Sequence, residues 1–155
     1  MKKGFTIIET LIYITLLSLL LNGAFITAYS LIESAESLQQ KNIVSGEGNF
    51  FIQKLRWAFM NMQSITAPSE GSPNTTHANI IHYDGTIVTI RKNGSTIEMS
   101  EAGPSGTFYA LTSQNVSVDG LHFSFIQGVS ESPDGITATA TINGTPFSLT
   151  KYIRK

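Results

Sequence analysis

Apolar residues run almost without interruption from Phe5 to Leu21, and from Phe5 to Ile32 the only charged side chain is Glu9. As a helix, this stretch measures about 42 Å, more than the ~30 Å hydrocarbon core of a bilayer. No proline interrupts it, and Asn22-Gly23 is the one weak point, where the helix is expected to loosen. Further on the pattern becomes one-sided. Val44, Phe51, Leu55, Phe59 and Met62 recur at helical spacing and share a face, with Lys41, Lys54 and Arg56 free to lie elsewhere on the surface. Gly46 and Gly48 weaken this second half and are expected to mark a bend or a break. Ala67-Pro68, followed by Ser-Glu-Gly-Ser-Pro, closes the helix. The expected divisions are thus an apolar helix over 5–32, an amphipathic continuation over 33–66 and a β-rich domain over 67–155. The one-sided face suits docking on the chain's own sheet, with capture of a partner as the alternative. Trp57 suits a partly buried anchor.

From Ala78 the period shortens to two. Ile80–Tyr83, Thr86–Arg91 and Thr96–Met99 read as strands joined by Asp84-Gly85 and Asn93-Gly94. Such Asx-Gly pairs suit type I′ turns, where φ is positive. Phe108–Leu111 is a candidate fourth strand. Val116–Val118 leads through a turn at Asp119-Gly120 into Leu121–Ile126. Ile136–Ile142, Asn143-Gly144 and Pro146–Ile153 form a final hairpin. A long helix followed by an antiparallel sheet is an α+β plan.

Composition narrows the chemistry. The 155 residues contain no cysteine, which excludes disulfides, thiolate catalysis and Cys-containing zinc sites. Formal net charge is −1, with no basic excess to attract nucleic acid. The tail Lys151–Lys155 is locally basic and reads as a solvated terminus or last strand. His77 falls in a loop, and His82 and His122 fall in different strands, so each suits a structural role better than metal ligation. Asp84, Asp119 and Asp134 each precede a glycine, where turn chemistry explains a carboxylate. No phosphate-binding glycine loop, nucleophile elbow or His-Glu-x-x-His is present, so neither catalytic residues nor a cofactor is expected. The Asn-x-Ser/Thr triplets at Asn74, Asn93, Asn115 and Asn143 are expected by chance in a chain so rich in these residues.

Three readings compete for the N-terminus. It suits a secretory signal cut after Ala28-Tyr29-Ser30, a plain membrane anchor, or a segment cut on the cytoplasmic side and reused in assembly. Lys2 and Lys3 precede it while Glu33 and Glu36 follow, which places the N-terminus in the cytoplasm and the β-domain outside. Glu9 argues against the first reading, because a carboxylate in an apolar core is costly unless paired. The stretch Lys2-Lys3-Gly4-Phe5-Thr6-Ile7-Ile8-Glu9, followed by an apolar helix, resembles the type IV prepilin signature of major and minor pilins and of secretion and competence pseudopilins. The resemblance covers the first ~35 residues closely, by the order of basic leader, glycine, phenylalanine, glutamate and apolar run.

The resemblance implies a leader over residues 1–4, cut between Gly4 and Phe5 by a prepilin peptidase that also N-methylates Phe5. Loss of Lys2 and Lys3 would take the formal charge from −1 to −3. Glu9 would then pair with the Phe5 ammonium of a neighbouring subunit, because opposite charges in low dielectric attract strongly. The pilin fold would be a helical spine whose outer half packs on the β-domain. Partners would be other subunits, an inner-membrane assembly platform and membrane lipid, first in the cytoplasmic membrane and then in a filament. The chain lacks the helix proline and the C-terminal cysteine pair of many major pilins, which points to a minor pilin or pseudopilin. Related pseudopilins can bind calcium, but no dense acidic loop suits it here. The alternative function is a pilin whose β-domain contacts DNA, a surface or a secreted substrate through loops such as 69–76. A membrane-anchored enzyme is the third reading.

Overall fold

A computed structural model of the chain describes residues 6–69, 75–129 and 132–153. One 52-residue helix, α1 (Ile7–Ala58), is followed by eight strands. These are β1 (Met62–Ala67), β2 (His77–His82), β3 (Ile87–Asn93), β4 (Thr96–Ser100), β5 (Tyr109–Ala110), β6 (Val118–Ile126), β7 (Gly135–Ile142) and β8 (Thr145–Tyr152). The layout is α+β. Strands β1 to β5 form one antiparallel sheet in chain order, and β6 to β8 form a second. A bridge between Thr75 and Phe123 joins the segment before β2 to β6. The chain divides into two compact units, Met1–Lys41 and Asn42–Lys155.

The core of the second unit is built from the one-sided stripe. Val44, Gly48, Phe51, Leu55 and Ala58 are the buried positions of α1, at alternating steps of four and three residues. Val44, Phe51, Leu55 and Ala58 belong to one cluster with Ile80, Val88 and Ile90 of the first sheet and Leu121, Phe123 and Ile136 of the second. The stripe therefore docks on the chain's own sheets. Lys41 and Arg56 are exposed.

Several sequence expectations need correction. The helix is unbroken through Asn22-Gly23 and through Gly46 and Gly48. Gly48 serves packing: a Cβ there would lie 2.1 Å from the Phe147 ring, so only glycine lets that ring reach the helix backbone. The helix ends at Ala58, well before the expected 66, and β1 takes up Met62–Ala67. Ser64-Ile65-Thr66 favour extended backbone, and two register irregularities against β2 hide the alternation that would mark a strand. His77 opens β2 and is not a loop residue. Asp119-Gly120 is no turn but the irregular step of β6 against β7. Positive φ at both turn positions occurs only at Asn143-Gly144 (45° and 74°), as type I′ requires; at 84–85 and 93–94 only the glycine has it.

Candidate functional site

Glu9 lies in the first turn of α1, where unpaired backbone N–H groups carry partial positive charge and favour a carboxylate. The amides of Glu9 and Thr10 donate to the Thr6 carbonyl at 3.1 and 3.2 Å, which starts the helix. Tyr13, one turn on, donates its hydroxyl to Glu9 Oε1 at 3.4 Å. That partner was legible in the i, i+4 spacing of Glu9 and Tyr13 and escaped the reading above, which looked only for a cation. Gly4 and Phe5 lie outside the described residues.

Around Glu9 the helix is apolar on all sides. Leu11, Leu16, Leu20 and Phe25 are each more than half exposed. The segment is long and apolar enough to cross a membrane. Three of its hydroxyls are satisfied within the helix: Thr15, Ser18 and Thr27 each donate to the carbonyl four residues back at 2.8 Å. This matters in lipid, where no water is at hand for an unpaired donor. Gly23, Ala24, Thr27 and Ala28 form a shallow depression of small residues between Leu19, Leu20 and Leu31.

In the β-domain several titratable groups hold the fold together. His82 is buried, and its Nε2–H donates to the Ala58 carbonyl at 2.7 Å, closing one of the open carbonyls at the end of α1. The Trp57 ring meets His82 edge-on, 5.9 Å between centroids, while remaining exposed to solvent. Asp84 Oδ1 accepts from the Thr86 amide at 2.9 Å. That bond, with the Thr86 hydroxyl, holds the carboxyl below its ordinary pKa. Asp119 accepts from the Gly144 amide and Asp134 from the Gly128 amide. Arg91 stacks on Phe108 at 3.6 Å and pairs with Glu98 at 3.0 Å. Glu98 also accepts from Asn93, and these contacts, the Asn93 bond foremost, lower its pKa.

Among the described residues no group of three or more His, Asp or Glu is placed to hold a metal ion. His77, His82 and His122 are not brought together as ligands. A groove of about 540 Å3 lies between the start of the docked helix and the residues after β5, lined by Ile43, Glu47, Phe50, Leu111 and Asn115 among others. Glu47 Oε2 accepts from the Ser113 amide there at 3.2 Å and ties the loop to the helix. Of the loop 69–76, residues 70–74 fall outside the described set. No family model, curated protein or solved structure matches the chain.

Proposed function

We propose that this chain is a structural, non-enzymatic subunit of a type IV pilus-like filament, a minor pilin or pseudopilin. One observation carries the reading. Glu9 is the only charged side chain between Phe5 and Ile32, on a stretch of helix whose large apolar side chains are mostly more than half exposed among the described residues. A lone carboxylate in such surroundings calls for a partner. Tyr13 offers a neutral hydroxyl, which carries no positive charge to balance a carboxylate. The Phe5 ammonium exposed by cleavage after Gly4 would supply the missing charge from a neighbouring copy.

On this reading the subunit waits in the cytoplasmic membrane with its β-domain outside. Extraction into a filament exchanges lipid for neighbouring helices, so the apolar surface stays out of water in both states and the hydrophobic term roughly cancels. The Glu9 pair then selects the stagger between neighbours. The small-residue depression around Gly23 and Ala28 suits close helix approach.

The test separates filament from membrane. Glu9→Ala should leave the protein in the membrane fraction and remove it from sheared filaments; normal incorporation would refute the assembly role. Gly4→Leu should block processing, read as an N-terminus still at Met1 by mass spectrometry. Cleavage unchanged at that bond, or trimming near Ser30, would refute the peptidase assignment.

A further inference from the structure

The second sheet turns one face to the core and leaves the other open. Leu121, Phe123, Ile136, Ala138 and Ala140 point inward and are buried. The opposite face follows from the register. Ser124, Thr137 and Thr150 form one cross-strand row, and His122, Thr139 and Ser148 form the next. Gly120, Thr141 and Pro146 continue the array on one side, and Ile126, Gly135 and Tyr152 on the other. Same-face neighbours stand about 6.7 Å apart along a strand and about 4.8 Å apart across strands. The result is a lattice of hydroxyls flanked by two rings. The Tyr152 ring covers Gly135, where a Cβ would lie 2.8 Å from it, and the His122 ring leans towards Gly120. Thr137 and Thr150 share a hydroxyl hydrogen bond of 2.8 Å, which orients that row.

High β-propensity alone accounts for threonine on an exposed strand. It does not account for the absence of Asp, Glu, Lys and Arg from these four rows. Exposed sheets ordinarily carry charge to discourage adventitious pairing, and the first sheet does so with Arg91 and Glu98. Lys151 lies on the other face of β8, by alternation with Thr150 and Tyr152. Among the described residues no strand pairs with the outer edge of β8. The Ile153 amide donates to Asp134, so the intervening ladder directs the N–H and C=O groups of Ser148, Thr150 and Tyr152 away from β7.

We propose that this face of β6–β8 is a landing surface for a neutral polysaccharide. Among the described residues the four rows carry no Asp, Glu, Lys or Arg, with the His122 imidazole as their one basic side chain, which matches an uncharged polymer better than a polyanion or a charged peptide. Hydroxyls that both donate and accept match the hydroxyls of sugars. Tyr152, half exposed, offers a rigid apolar plane for the C–H face of a pyranose at little entropic cost. The site belongs to the β-domain and stands whether or not the chain enters a filament.

The test uses the full chain in detergent and measures its depletion by insoluble cellulose and chitin, with a sulfated cellulose and DNA-cellulose beside them. Retention on at least one neutral polymer, unchanged between low and high salt, is expected. Tyr152→Ala should lower retention about tenfold and Thr139→Val about three- to tenfold. Thr139→Lys should abolish it, while Thr107→Lys, in an exposed loop elsewhere, should not. If Thr139→Lys lowers the thermal transition, Thr150→Lys at the exposed edge is read in its place. Failure of the wild type to bind either neutral polymer would overturn the proposal. So would full retention of the lysine variant, or binding confined to the anionic supports and lost in salt.

Discussion

The two halves of α1 share one continuous helix and obey different rules. Up to Ile32 apolar side chains point in every direction, and Leu16, Leu17, Leu20 and Phe25 are each more than half exposed. From Val44 to Ala58 burial is confined to one face, and Trp57 and Arg56 on the other sides meet solvent. A helix apolar all round needs lipid or other helices; a striped helix needs only one surface. The first half therefore leaves its apolar side chains exposed, and the second half contributes its stripe to the core of the β-domain.

Substitutions can break that contrast. Phe51→Ala in the docked half removes a fully buried ring and should cost about 3–5 kcal/mol in denaturant unfolding, followed by the fluorescence of Trp57, the only tryptophan. Leu17→Ala in the apolar half should leave that transition in place, because the side chain is more than half exposed. Equal destabilisation by both would erase the distinction. Gly48→Ala should cost about 1–3 kcal/mol, because the Phe147 ring must withdraw. In a Phe147→Ala background the same change should be nearly neutral, which a double-mutant cycle reads directly. His82→Ala leaves the buried Ala58 carbonyl without its donor and should cost about 1–3 kcal/mol.

Smaller effects sharpen the comparison. Gly46, two residues from Gly48, has nothing within 4 Å of a Cβ, so Gly46→Ala should stabilise by about 0.5–1 kcal/mol through helix propensity alone. Opposite signs at two glycines in one helix turn would locate the docked face. Glu98 has its folded pKa lowered by Asn93 and Arg91. Its contribution is present above the ordinary glutamate pKa and fades as pH falls through the depressed folded value. Being partly exposed, the pair should contribute little, and Glu98→Gln should flatten the pH slope of stability below the ordinary glutamate range.

Legibility in the sequence tracked how local each cause was. The hairpins at Asp84-Gly85, Asn93-Gly94 and Asn143-Gly144 could be read because a glycine with positive φ is a demand of the turn itself. Strand β1 could not, because its two register irregularities against β2 scramble the in-out alternation. Asp119-Gly120 misled for the mirror reason. The dipeptide that marks turns elsewhere sits at an irregular step inside β6, and only the Asp119 bond to the Gly144 amide explains it. Of the candidate assembly site, Glu9 was plain as the lone charge in its run, and its bond to Tyr13 was available from spacing.

By itself the sequence determined the apolar half of the helix, the isolation of Glu9, the docking stripe and most of the strands. Each of these depends on the order of residue types along a few turns or one hairpin, and hydrophobic period and turn chemistry are written at that range. Only the tertiary structure decided where the helix stops, why Gly48 is a glycine, what His82 does and which hydroxyls share a face. Those answers depend on contacts between segments far apart in the chain, Phe147 on Gly48 and His82 on Ala58 among them. No local pattern encodes a distance that the packing of two sheets and a helix has to set.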